Sequence, residues 1–179
     1  MADFLLDTNV MLDYGVNLYE IVNSDDRLFI TDIILKELDG HKKSGDENIK
    51  YQVREIFRNL SPVDSVDFKP KSGDTAAGFD FGKYRLISIS REKYHVLDRA
   101  DLDAKIIEMA KDYNLVLLTA DRAMTVRAHG EGVKFELLTR EKQAQANTDA
   151  NERLESGESE SCDLDWLDWD ISSEIDLYL

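Results

Sequence analysis

The chain has 179 residues, 42% of them apolar and 33% charged, with a formal net charge of −15 and a single cysteine, Cys162. That length supports one ordinary core plus an appendage, and one cysteine excludes an intramolecular disulfide framework or a Cys-rich zinc site. No stretch reaches the roughly 18 apolar residues of a membrane helix, and residues 1–15 lack the basic and apolar regions of a secretory leader, so the expectation is a cytoplasmic protein with no membrane partner.

In chain order, the apolar run 3–7 reads as a buried strand ending in Asp7. A short helical stretch then runs to about Val22, and a second small strand, 28–30, follows. Asp32 is the expected N-cap of a helix whose inward residues are Ile33, Ile34 and Leu38 and which Gly40 helps to end. Ile49, Val53, Ile56, Phe57 and Leu60 recur at helical spacing and predict a helix over about 47–60. Residues 61–83 hold both prolines and three of the nine glycines and read as an irregular loop or insertion. Beyond it come a strand at 84–89, a helix at about 102–113, a strand at 115–119, a short helix from Arg122 to about His129, and a strand at 133–138. Alternating strand and helix predict an α/β protein with a mainly parallel sheet covered on both faces.

Four acids fall at telling places in that order: Asp7 and Asp121 end strands, while Glu37 and Asp103 lie on helices. Open α/β sheets form their ligand crevice at the carboxyl ends of the strands. Each acid alone has a plainer explanation. Asp101, Asp103 or Asp121 would serve as a helix cap, and Glu37 as one solvated residue on a charged helix. Asp7 resists that account, because it directly follows Phe4, Leu5 and Leu6 and a carboxylate there needs compensation. Four carboxylates in one pocket require cations, and an oxygen-only donor set favours Mg²⁺ or Mn²⁺ over Zn²⁺. The matching chemistry is phosphodiester hydrolysis by metal-activated water.

The segments FLLDTNVMLD, ILKELDGHKK, DLDAKIIEMA and LVLLTADRAM, in this order, resemble the PIN-domain ribonucleases, most of all those associated with PhoH-type proteins. The resemblance spans about residues 3–138 and implies a three-layer α/β/α domain over 1–140. It implies metal-ligand and catalytic roles for Asp7, Glu37, Asp103 and Asp121, an auxiliary role for Asp101, and polar support from Asn9 and Thr119. RNA rather than DNA as substrate, and self-association, are further implications of the resemblance. No glycine-rich phosphate loop occurs, so ATP-driven action is not expected of this chain.

Lys36, His41, Lys42, Lys43 and Arg54 flank Glu37 and form a candidate rim for substrate phosphates, with an ordinary solvated helix face as the equal alternative. Arg122 and Arg127 follow the last acid and join that group.

From residue 146 onward eleven acids face Arg153 alone, a local charge of −10 that leaves only −5 for everything before it. The overall charge therefore describes an end segment more than a nucleic-acid-repelling body. Residues 141–161 read as an acidic linker. Residues 162–179, with Trp166 and Trp169 among the acids, read as a docking segment that either folds back on the body or recruits a protein partner, with a solubilising tail carrying incidental aromatics as the equal alternative. The rival overall reading is a catalytically weak binding or regulatory module working through that segment.

Overall fold

The structure, a computed structural model, describes residues 1–43, 45–91 and 101–138. The expected linker and docking segment lie outside the described residues.

Strand β1 (Asp3–Leu6) leads into helix α1 (Thr8–Tyr14) and a 3-10 helix (Gly15–Glu20). After β2 (Arg27–Thr31) come α2 (Asp32–His41) and α3 (Glu47–Asn59). The chain continues through β3 (Leu60–Val63), β4 (Asp74–Phe81) and β5 (Tyr84–Arg91). It completes the fold with α4 (Leu102–Tyr113), β6 (Val116–Thr119), α5 (Arg122–Gly130) and β7 (Phe135–Leu137).

The seven strands form one sheet in the order β3-β4-β5-β2-β1-β6-β7. From β5 to β7 every neighbouring pair is parallel. Leu5, Leu6, Phe29, Ile30, Leu117 and Leu118 are fully buried, which explains why these strands read as unbroken apolar runs rather than alternating ones. The connections from β1 to β2 and from β2 to β5 step one way along the sheet, and those from β5 to β6 and from β6 to β7 step the other. Right-handed crossovers then put the helices on opposite faces. Accordingly α1, α2 and α3 pack on one another, and α4 packs on α5. The result is the expected α/β/α architecture, and β1 lies beside β6 where the winding reverses.

The reading of 61–83 as an irregular insertion is corrected. β3 and β4 extend the sheet in antiparallel fashion, and a two-residue turn, Gly82-Lys83, joins β4 to β5 with Phe81 paired to Tyr84. Gly82 has φ +59, a backbone conformation that glycine adopts without steric cost and that suits a tight hairpin. Pro62 is tolerated because β3 is an edge strand. Between β3 and β4, Phe68 packs edge-on against Phe29 with ring centroids 5.1 Å apart and leans on Tyr113 at 5.7 Å. The hydroxyl of Tyr113 donates to Asp74.

Two smaller corrections concern α2. Its N-cap is Thr31, whose hydroxyl accepts from the Ile34 N–H, so Asp32 is the first helical residue and complements the helix dipole instead. Gly40 does not end the helix, which runs through it to His41.

Candidate active site

The winding reversal between β1 and β6 creates a crevice at the carboxyl ends of these strands, and the first residue at its edge is Asp7. Its backbone N–H donates to the Leu118 carbonyl, extending the pairing of β1 with β6 by one step. Its side chain leaves the strand as the N-cap of α1, with Oδ1 accepting from the Thr8 N–H at 2.7 Å. Oδ2 accepts from the hydroxyl of Thr119, the last residue of β6, at 2.8 Å. Only 5% of Asp7 is exposed. Burial pushes its carboxyl up to about 6, against the pull of the hydrogen bonds from Thr119 and Thr8, and the nearby negative charges of Asp103 and Glu37 add to the rise.

Glu37 reaches this point from α2, its Oε2 accepting from the Thr8 hydroxyl at 2.6 Å. Thr8 thus gives its N–H to one acid and its O–H to another. Sequence reasoning passed over Thr8, although its place directly after the strand-end acid was a usable signal. Thr119 is fully buried and works in two directions, since its Oγ1 also accepts from the Asp121 N–H at 3.0 Å. The carboxylate of Asp121 caps α5 by accepting from the Ala123 N–H at 2.7 Å, which is the plainer role its sequence position also allowed.

Asp101 caps α4 through the Ala104 N–H. Arg127, one of the residues expected at the substrate rim, instead spans this acid and the next. Its Nη2 donates to both oxygens of Asp101 at 2.6 and 2.7 Å, and its Nη1 to Asp103 Oδ2 at 3.2 Å. Arg127 holds the Asp101 carboxyl below its ordinary range.

The other rim candidates divide. Lys36 pairs with Asp32 at 2.9 Å. Lys42 pairs with Asp39 at 2.7 Å and lies 3.9 Å over the Phe57 ring. His41 is half-buried, whereas Lys43, Arg54 and Arg122 are exposed. Asn9 is exposed in the first turn of α1. Two of the other three acids, Glu37 and Asp103, therefore act electrostatically on Asp7. Asp121 is joined to them through the Thr119 hydroxyl.

A buried carboxyl with like charges beside it offers unspent negative potential, and its donors are all oxygens, so the site suits a hard dication. Among the described residues no three His, Cys, Asp or Glu side chains close around one point. An ion here would complete its shell with water, as Mg²⁺ readily does while held by only one or two carboxylates.

A family model described as a PIN domain matches residues 4–139. No curated protein shows a match. Among solved structures, "a domain of a functionally unknown protein" from Methanocaldococcus jannaschii DSM 2661 is similar, with a TM-score of 0.47 and 20% identity, covering 78% of this chain and 92% of that one.

Proposed function

This chain belongs to the PIN-domain family, whose members are generally metal-dependent nucleases, and from that premise we propose that it hydrolyses phosphodiester bonds in single-stranded or structured RNA. The observation that carries the proposal is Asp7: a nearly buried carboxylate at the winding reversal, hydrogen-bonded by Thr8 and Thr119 and in the field of Glu37 and Asp103.

In this reading Asp7, Glu37, Asp103 and Asp121 hold Mg²⁺ or Mn²⁺. A dication held by them would supply activation of water and stabilisation of charge on the departing oxygen. The remaining work belongs to the chain. Thr119 and Thr8 keep Asp7 ionised and fixed in orientation, because each donates to a different carboxylate oxygen. The Thr8 hydroxyl holds the Glu37 carboxylate at the same edge. Asn9, exposed one residue further along α1, is assigned to orient the attacking water or a substrate oxygen. Lys43, Arg54 and Arg122 are assigned to substrate phosphates, where exposed cations contribute affinity without sequence preference.

The deciding experiment is cleavage of labelled single-stranded RNA and DNA by the full chain with Mn²⁺, Mg²⁺ or EDTA, alongside Asp7→Asn and Asp121→Asn. Cleavage of RNA that needs metal and fails in both variants is expected. Intact RNA under every metal condition would sink the reading in favour of a binding module.

A further inference from the structure

We propose that Arg127 is a positioning residue for Asp103: pinned by Asp101, its guanidinium fixes the Asp103 carboxylate for a divalent cation. The inference rests on the nuclease reading above and deepens it.

The geometry is asymmetric. Nη2 of Arg127 is taken by both oxygens of Asp101, at 2.6 and 2.7 Å, while Nη1 reaches only one oxygen of Asp103, at 3.2 Å. Asp101 is itself fixed, because its side chain caps α4 by accepting from the Ala104 N–H at 3.2 Å. Arg127 is therefore anchored at one end of its fork and offers the other end to Asp103. Because the guanidinium is planar and its donors are set in a rigid fork, holding one carboxylate orients the N–H that meets the second.

The two acids also differ in what they face. The charge of Asp103 acts on Asp7, whereas the carboxylate of Asp101 is taken up by Arg127 and the Ala104 N–H. Arg127 thus takes one oxygen of Asp103, Oδ2, and leaves the other to a cation. Without this contact Asp103 would be a half-exposed side chain in the first turn of α4, free to change rotamer. The contact also ties the last turn of α5 to the first turn of α4.

Groups that orient metal ligands from behind typically account for about 10–100-fold in metal affinity. This cluster is exposed, which puts the expected effect at the lower end. The test is Mn²⁺ binding to the full chain, read as loss of the free-ion paramagnetic resonance signal, for the wild type, Arg127→Gln, Arg127→Lys, Asp101→Asn and Arg127→Gln with Asp101→Asn. Asparagine can still cap α4, so Asp101→Asn releases Arg127 without unwinding the helix.

Arg127→Gln and Asp101→Asn are each expected to weaken Mn²⁺ binding about tenfold. The double variant should be no weaker than either single one, and Arg127→Lys, which cannot bridge both acids, should fall between. Binding in Arg127→Gln and Asp101→Asn as tight as in the wild type, or tighter, would overturn the proposal and make Arg127 a competitor of the ion. Failure of the nuclease reading is separately visible: wild-type protein that binds Mn²⁺ yet leaves RNA intact defeats that reading and leaves the Arg127 comparison standing. Wild-type protein that takes up no Mn²⁺ overturns both.

Discussion

The Thr119 hydroxyl donates to Asp7 Oδ2 at 2.8 Å and accepts from the Asp121 N–H at 3.0 Å, so one buried oxygen joins two acids from strands whose ends are more than a hundred residues apart in the chain. Replacing it by valine keeps the shape and removes both bonds, leaving a buried carboxylate short of a donor. Thr119→Val should lose about 1–3 kcal/mol of stability at pH 7, while Thr119→Ser should keep most of it. Urea denaturation midpoints would show this, and a Thr119→Val midpoint equal to the wild type would refute the role given to the hydroxyl.

Asp7 gives the metal-free protein a pH dependence of definite sign. Its carboxyl is raised from 3.8 to about 6 in the folded state, so folding favours the protonated form. The associated stability is fully present below pH 3.8 and is lost as pH rises through about 6, a change of about 2–3 kcal/mol. Asp7→Asn removes this dependence, so in EDTA it should be more stable than the wild type at pH 7 and should lose that advantage towards pH 4. Denaturation at pH 4, 5.5 and 7 tests it, and an advantage independent of pH would contradict the assignment.

Glu37→Gln should separate charge from hydrogen bonding. The Gln carbonyl can still accept from Thr8, which now bonds Glu37 at 2.6 Å, so stability at pH 7 should change by under about 0.5 kcal/mol. Cleavage with Mg²⁺ should fall by about two orders of magnitude, as expected when a group acting on the reacting centre loses its charge. Near-normal rates would remove Glu37 from the metal set.

The substrate assignment predicts a change in salt dependence. Lys43→Gln combined with Arg54→Gln should weaken RNA binding for all sequences alike and reduce the slope of log affinity against log salt by up to about 2. Filter binding with the non-cleaving Asp7→Asn protein at several salt concentrations measures it. An unchanged slope would return both residues to an ordinary solvated helix face.

Away from the site, Gly78 in β4 has no room for a side chain. An added Cβ would lie 2.5 Å from Val63 Cγ2 and 3.0 Å from Val66 Cγ2. Valine is stiff about χ1, so the strand must shift, and Gly78→Ala should cost about 1–3 kcal/mol with cleavage unchanged below the melting transition. A melting temperature like the wild type's would mean that β3 yields freely.

The parallel half of the sheet was legible because its strands are buried on both faces and carry unbroken apolar runs, as in Phe4-Leu5-Leu6 and Leu117-Leu118. The antiparallel half was not. β4 contains Ala76, Ala77 and Gly78, weak strand signals, and the prolines and glycines around it imitate a loop. The better clue was Gly82-Lys83 set between Phe81 and Tyr84, a two-residue separation typical of a hairpin. The acids at the crevice were readable from their places at strand ends, since topology alone gathers such positions. What spacing could not reveal was the hydrogen bonding among them. Thr8, shared between Asp7 and Glu37, and Arg127, shared between Asp101 and Asp103, depend on distances between separate helices that no local pattern encodes.

The position of β1 between β2 and β6 has a consequence for the order of folding. β4 and β5 meet through a two-residue turn, a cheap local closure, whereas β1 must wait for β6 across a separation of 112 residues between Asp7 and Thr119. Loop-closure entropy makes the distant pairing the slower one. A chain still being synthesised, with residues up to about 110 emerged, already holds Asp7, Glu37 and Asp103 but has no β6 to place beside β1. It lacks both Thr119, which bonds Asp7, and Asp121, so such a chain is unarmed, and the capacity proposed here comes into being only as the last fifth of the domain arrives.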